Sequence, residues 1–169
     1  MERRELFKIL GATSLAAPAL SAPYQPKFFS TAEASVAERL ADIILPSDAS
    51  SPGAAEAGVL RYIDIVLHYA SPEQKQRWKK GLAAVEADAQ RRFSKPFLDC
   101  DRASQEQVLA SMAENEGRRQ DESGRFFEAL KRLSVEAYHF SPANWQKNVR
   151  YAGHKPISEF PGCRHPNHR

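Results

Sequence analysis

Apolar side chains recur at intervals of three or four residues along most of the chain, as at Trp78, Leu82, Val85, Ala89 and Phe93. Such spacing places the side chains on one face of an α-helix, whereas a half-buried strand alternates strictly between apolar and polar positions. No stretch of this sequence sustains that strict alternation. The pattern therefore predicts an all-α protein with about five helices. The predicted helices span residues 31–45, 59–70, 72–93, 104–115 and 123–139.

Residues that begin or end helices stand at the limits of these periodic segments. A serine precedes three of the helices, at Ser30, Ser71 and Ser104, and a serine hydroxyl commonly caps the free N–H groups of a first turn. Pro46 ends the first helix and Pro142 ends the fifth, because proline has no backbone N–H to donate to the helix. The boundaries therefore agree with the periodicity.

The N-terminus has the layout of a twin-arginine export signal. Two adjacent arginines and a lysine precede the apolar residues 9–20, and small residues follow. The apolar stretch is too short to cross a bilayer, which requires about 20 apolar residues. This layout predicts an export signal over residues 1–22 and a periplasmic protein, and an amphipathic helix that begins with two surface arginines is the alternative. The residues assigned to the signal are Arg3, Arg4, Phe7 and Lys8.

The remainder of the chain is predicted to form a single compact domain. Prolines exclude helix from residues 23–30, which are predicted to be a linker. Residues 31–169 form the helical domain, and its last part, residues 143–169, lacks apolar periodicity and is predicted to be an irregular tail. The net charge of the chain is only +3, so nucleic acid is not an expected partner.

The sequence has no recognisable catalytic pattern. It lacks the G-x-S-x-G motif of many hydrolases and any clustered glycines that could hold a phosphate. Four carboxylates lie close together along the first half of the chain, at Asp42, Asp48, Glu56 and Asp64, and each is interpreted as a solvated charge. No catalytic or cofactor-binding residue is therefore assigned to this chain, and an independent small enzyme is disfavoured.

Two cysteines, Cys100 and Cys163, are compatible with one disulfide in an oxidising compartment, or with one bond to a partner chain. Cys163 also lies near His165 and His168, and these three side chains could bind zinc or copper. A stand-alone periplasmic metal- or ligand-binding module is therefore one alternative. The spacing matches no established metal site, so either a basic disordered C-terminal end or a disulfide cysteine beside chance histidines is favoured instead.

Aromatic residues are concentrated near the C-terminus, mostly outside the periodic helices. They are Tyr138, Phe140, Trp145, Tyr151 and Phe160. Since no helical stripe accounts for them, they either cover their own domain or anchor an interface with another protein. The loop of residues 46–58, which consists mostly of small residues, is a second candidate contact surface.

Seven short segments along nearly the whole chain carry a resemblance: FFSTAE (28–33), LADIILPSD (40–48), PGAAEAGV (52–59), YID (62–64), RFSKPF (92–97), FFEAL (126–130) and FPG (160–162). The part from residue 42 to residue 59 is the most specific. Together with the Arg-Arg signal, these segments resemble the gluconate 2-dehydrogenase subunit 3 family.

This resemblance implies a non-catalytic small subunit that accompanies a glucose–methanol–choline-type (GMC-type) flavoprotein dehydrogenase. The partner carries FAD and oxidises a sugar, a sugar acid or another alcohol, and a cytochrome c with haem c often takes the electrons. The small subunit supplies the signal read by the twin-arginine translocase and supports maturation of the partner. On this view Asp48, Trp145, Tyr151 and Phe160 are expected at the partner interface.

Overall fold

The computed structural model describes residues 24–114, 116 and 121–151. These residues form six α-helices and no strand, which confirms the predicted all-α class. The five predicted helices are present, with ends within two residues of the predicted ones. The helices are α1 (Thr31–Ile44), α2 (Val59–His68), α3 (Pro72–Phe93), α4 (Arg102–Ala113), α5 (Glu122–Phe140) and α6 (Pro142–Lys147), with a 3₁₀ helix at Phe97–Asp99.

Two helices begin with the reciprocal hydrogen bonds of a capping box. At α1 the backbone N–H of Ser30 donates to Glu33 Oε2 over 2.8 Å, and the N–H of Glu33 donates to Ser30 Oγ over 3.3 Å. Ser71 and Gln74 form the same pair of bonds at the start of α3. Each box satisfies N–H groups that a first turn leaves without a helical partner, so the predicted caps at Ser30 and Ser71 are confirmed.

The prediction that Ser104 caps the fourth helix is wrong. α4 begins two residues earlier, because the side chain of Asp101 accepts a hydrogen bond from the N–H of Ser104 over 2.8 Å. Aspartate caps a helix as well as serine does. Ser104 therefore lies inside the first turn.

The prediction that the chain is irregular throughout residues 143–169 is also wrong, since α6 covers its beginning. Ser141 ends α5 and at the same time caps α6, where its hydroxyl accepts from the N–H of Asn144 over 3.1 Å. Pro142 occupies the first position of α6, where a helix needs no N–H donor. The Ser-Pro pair therefore both breaks one helix and starts the next.

Helix α5 is the centre of the fold and contacts α1, α2, α3, α4 and α6. Its Phe126 is fully buried and meets Trp78 of α3 edge to face, with ring centroids 5.3 Å apart. Trp78 in turn lies 5.9 Å from the ring of Phe29, which precedes α1. These aromatic contacts join the central helix to the segment before α1. None of the described helices combines the length and the apolar character needed to cross a membrane.

The interpretation of Asp64 as a solvated charge is wrong, because its side chain is completely buried in α2. One oxygen, Oδ2, accepts from the Tyr24 hydroxyl over 2.6 Å and from the backbone N–H of Lys27 over 2.7 Å. The other, Oδ1, accepts from the N–H groups of Phe28 and Phe29, both over 3.0 Å. A buried carboxylate is tolerated when it is hydrogen-bonded in this way.

These bonds hold residues 24–29, which lie in the predicted linker and are not helical, against the domain. Burial alone would raise the pKa of Asp64, but the hydrogen bonds from Tyr24 and the three backbone N–H groups lower it overall. Burial and the bond to Asp64 raise the pKa of Tyr24 to about 12. The carboxylate therefore stays ionised and the phenol stays protonated at neutral pH.

Candidate functional site

Helix α6 and the residues after it hold two aromatic rings in fixed but exposed positions. Trp145 and Tyr151 meet edge to face with ring centroids 5.4 Å apart. The indole N–H of Trp145 donates to the carbonyl of His139 over 2.7 Å, and the N–H of Tyr151 donates to the carbonyl of Trp145 over 2.9 Å. Even so, Trp145 is 42% exposed and Tyr151 is 41% exposed. The rings therefore contact each other and are only partly buried.

Two further apolar side chains of the same short stretch are exposed, Phe140 at 70% and Val149 at 56%. We call Phe140, Trp145, Val149 and Tyr151 the aromatic patch. The backbone that carries it is well fixed, because Asn144 is buried and the side chain of Asn148 donates to the Tyr138 hydroxyl over 2.8 Å. Exposed aromatic groups on a fixed backbone are typical of surfaces that bind another protein.

The loop of residues 46–58 is shaped by Asp48. Its Oδ1 accepts hydrogen bonds from the N–H and the hydroxyl of Ser50 over 2.7 and 2.8 Å, and from the N–H of Ser51 over 2.7 Å. The bonds from Ser50, and then that from Ser51, lower the pKa of Asp48. The far side of the loop is held by Asp42 of α1, whose Oδ1 accepts from the N–H of Ala55 over 3.1 Å. Asp48 therefore orders the loop and is exposed on it.

The fold brings this loop next to α6. Lys147 Nζ lies 3.5 Å from Glu56 Oε2, and the positive charge of Lys147 also contributes to the lowered pKa of Asp48. A cleft of about 490 Å³ runs along the loop between α1 and α4, with Arg39 and Arg102 at its walls. The two predicted contact surfaces thus adjoin at Lys147 and Glu56. We call the loop of residues 46–58, α6 and residues 148–151 together the α6–loop surface.

The structure places three of the four predicted interface residues on or beside the α6–loop surface: Asp48, Trp145 and Tyr151. Phe160 lies outside the described residues. Sequence reasoning missed Lys147, which joins the two parts of the surface. Its partner Glu56 is 91 residues away along the chain, and no local pattern signals such a pair.

The described residues contain no group of three or more His, Cys, Asp or Glu side chains that could ligate an ion. Of the four carboxylates considered above, Asp42, Asp48 and Asp64 accept backbone N–H groups and Glu56 pairs with Lys147. The candidate metal ligands Cys163, His165 and His168, and the signal residues Arg3, Arg4, Phe7 and Lys8, lie outside the described part of the chain.

Cys100 is buried, and its thiol donates to the carbonyl of Pro96 over 3.4 Å. Burial raises the pKa of this thiol, and the nearby acids Asp101, Glu86 and Asp99 add to the effect against the opposing charge of Lys95. A buried thiol with a raised pKa is a poor nucleophile. Since its proposed disulfide partner Cys163 lies beyond residue 151, that pairing stays a prediction.

Comparison with known protein families identifies one match over most of the chain. Residues 31–162 match the family model described as gluconate 2-dehydrogenase subunit 3. No curated protein and no solved structure matches the chain. The matched range includes all six helices, the loop of residues 46–58 and the aromatic patch.

Proposed function

Because the chain belongs to the gluconate 2-dehydrogenase subunit 3 family, we propose that it is a non-catalytic accessory subunit that binds a GMC-type FAD-dependent dehydrogenase through the α6–loop surface. Membership of this family implies a complex with a gluconate dehydrogenase catalytic subunit. FAD belongs to that partner, and haem c belongs to a cytochrome subunit where one is present. This chain contributes binding, export and stability.

The observation that carries the proposal is the pair of ordered, half-exposed rings of Trp145 and Tyr151. Aromatic side chains lose little conformational entropy when they are already fixed, and they bury a large apolar area on binding. They are the residues that most often dominate the energy of protein interfaces. The charged groups around them, Lys147, Glu56 and Asp48, provide a polar rim that can set the orientation of the partner.

Replacing both rings tests this surface. We expect the Trp145→Ala/Tyr151→Ala variant to bind the purified dehydrogenase at least about a hundredfold more weakly, since central aromatic anchors commonly contribute about 2 kcal/mol each. The measurement is a titration of the dehydrogenase with the full chain, by calorimetry or surface plasmon resonance. Circular dichroism and the melting temperature of the free variant show whether its fold is retained.

Tyr69 provides a matched control for that experiment. It is an even more exposed aromatic residue, at 78%, but it follows the C-terminal end of α2. The α6–loop surface adjoins the opposite end of that ten-residue helix, about 15 Å away. Tyr69→Ala should therefore leave the affinity unchanged. Equal affinity of the double variant and the unaltered chain would contradict the proposed surface.

We propose in addition that the N-terminal signal exports the complex through the twin-arginine translocase, which accepts folded proteins. In cells that produce both chains, Arg3→Lys/Arg4→Lys should reduce the periplasmic fraction of the dehydrogenase to about a tenth or less. Immunoblots and dehydrogenase activity of periplasmic and cytoplasmic fractions measure the effect. Arg118→Lys/Arg119→Lys, which makes the same change in an adjacent arginine pair outside the signal, is the control. Undiminished export of the dehydrogenase with the lysine pair would show that it travels without this signal.

A further inference from the structure

A small charged pocket lies between the first half of α3 and the start of α5, on a part of the fold that the proposed partner surface does not use. Its volume is about 170 Å³, which equals the volume that about five or six water molecules occupy in the liquid. The residues that line it are Glu73, Gln76, Arg77, Lys80, Gly81, Ala84, Glu122, Ser123 and Arg125. The size suits a compact organic ion and is too small for a folded peptide segment.

The acidic side chains of this pocket are already engaged. Glu122 forms an ion pair with Lys80, with 3.1 Å between Oε1 and Nζ. Glu73 interacts with the hydroxyl of Ser71 at the start of α3, which lowers the pKa of its carboxyl group. The hydroxyl of Ser123 donates to Asp121 over 2.6 Å. The acidic and hydroxyl groups of the pocket therefore already have ion-pair or hydrogen-bond partners.

Two arginines of the same pocket are not engaged. Among the described residues, the side chains of Arg77 and Arg125 form no hydrogen bond or ion pair, and the Nε of Arg125 is buried without any acceptor. An arginine without an ion-pair partner at a pocket wall has guanidinium N–H groups that can donate to an anion. With three cationic and two acidic side chains, the pocket has a net charge of +1.

We propose that this pocket binds a small oxyanion, a carboxylate or phosphate carried by a compact molecule, between Arg77 and Arg125. The planar guanidinium group presents parallel N–H donors that match the oxygens of such a group. The oxyanion would accept from the guanidinium groups of Arg77 and Arg125, and the amide of Gln76 also lines the pocket. The rest of the molecule would lie against Ala84.

Isothermal titration of the purified full chain with acetate, and separately with inorganic phosphate, tests the proposal without the dehydrogenase. We expect saturable binding with a Kd of about 1 mM, the range of a small ligand held by few contacts. At about ten times Kd the apparent unfolding constant should fall about tenfold. Arg77→Gln and Arg125→Gln should each weaken binding at least about tenfold. Absence of saturable binding by the unaltered chain would overturn the proposal.

Arg132→Gln is the matched control, because Arg132 lies on α5 two helical turns beyond Arg125 and pairs with Glu136. If Arg132→Gln binds the oxyanion as the unaltered chain does, while the Arg77 and Arg125 variants bind it more weakly, the site lies at Arg77 and Arg125. An acidic side chain of the dehydrogenase is the other source of a carboxylate. If the Arg77 and Arg125 variants bind the dehydrogenase more weakly while free oxyanions do not bind the unaltered chain, the small-ligand proposal is wrong. Since the titration uses the isolated chain, its outcome is independent of the α6–loop surface.

Discussion

Asp64→Asn is expected to lower the free energy of unfolding by about 3–5 kcal/mol, the usual cost of breaking a buried charged network. Asparagine has the shape of aspartate but only one acceptor oxygen. Its NH₂ group would face either the N–H groups of Phe28 and Phe29, or the N–H of Lys27 beside the Tyr24 hydroxyl. None of these N–H groups can accept a hydrogen bond, so at least one backbone donor loses its acceptor even where the hydroxyl accepts from the amide. Urea denaturation followed by circular dichroism measures the change.

The pH dependence of this loss identifies the carboxylate as its cause. The pKa of Asp64 is lowered in the folded protein, so its contribution to stability is complete above the unfolded pKa of about 3.9. The contribution disappears as the pH falls below that value and through the folded pKa. The difference in stability between the unaltered chain and Asp64→Asn should therefore be constant from pH 5 to 7 and shrink in acid.

Asp99→Asn is the control for both measurements, since Asp99 is exposed and its side chain forms no hydrogen bond among the described residues. It should change stability by less than about 0.5 kcal/mol. A variant at position 64 that is as stable as the unaltered chain at neutral pH would show that the four bonds contribute nothing. Amide hydrogen exchange of residues 27–29 gives an independent readout, because their N–H groups should lose protection in Asp64→Asn.

Gly81→Ala is expected to destabilise the fold by about 3 kcal/mol, although alanine is the better helix former. Gly81 is buried in α3 against the ring of Phe126, which is itself completely buried. A Cβ atom at this position would stand 2.7 Å from Cε2 of that ring and closer still to Cγ and Cδ2. Phe126 is enclosed by the core and cannot move aside without disturbing Trp78.

The intrinsic effect of glycine in α3 can be measured separately at Ala83, which is exposed on the same helix. Ala83→Gly should cost about 1 kcal/mol, because glycine loses more backbone entropy on folding. Without a steric conflict, the reverse change at Gly81 would stabilise the protein by a similar amount. A melting temperature of Gly81→Ala at or above that of the unaltered chain would therefore disprove the close packing of Phe126 against α3.

The predicted helices were accurate where the signal is local. The capping boxes of Ser30 and Ser71 depend on residues three apart, and the apolar faces depend on residues three or four apart. The errors arose where two residues could serve the same role. Asp101 and Ser104 can both cap a helix, and the choice of Asp101 is not visible in the spacing. Likewise, Ser141 and Pro142 can end one helix and begin another, and composition alone suggested only the end.

The candidate surface was only partly predictable. The excess of aromatic residues near the C-terminus was visible in the sequence, and so was the unusual loop of residues 46–58. Their contact was not, because Lys147 and Glu56 are far apart along the chain and become neighbours only when α1, α2 and α6 pack around α5. The oxyanion pocket was missed for the same reason, since Arg77 and Arg125 belong to different helices.

The sequence by itself determined the helical class, the approximate helix limits and the family resemblance. All of these follow from residues close in the chain or from short segments read in order. Only the tertiary structure decided which polar groups are buried and which apolar groups are left exposed. Asp64 looks like any surface acid in the sequence, yet packing removes it from water and the segment before α1 supplies the compensating donors. Burial is a property of the assembled helices, so local pattern could not reveal it.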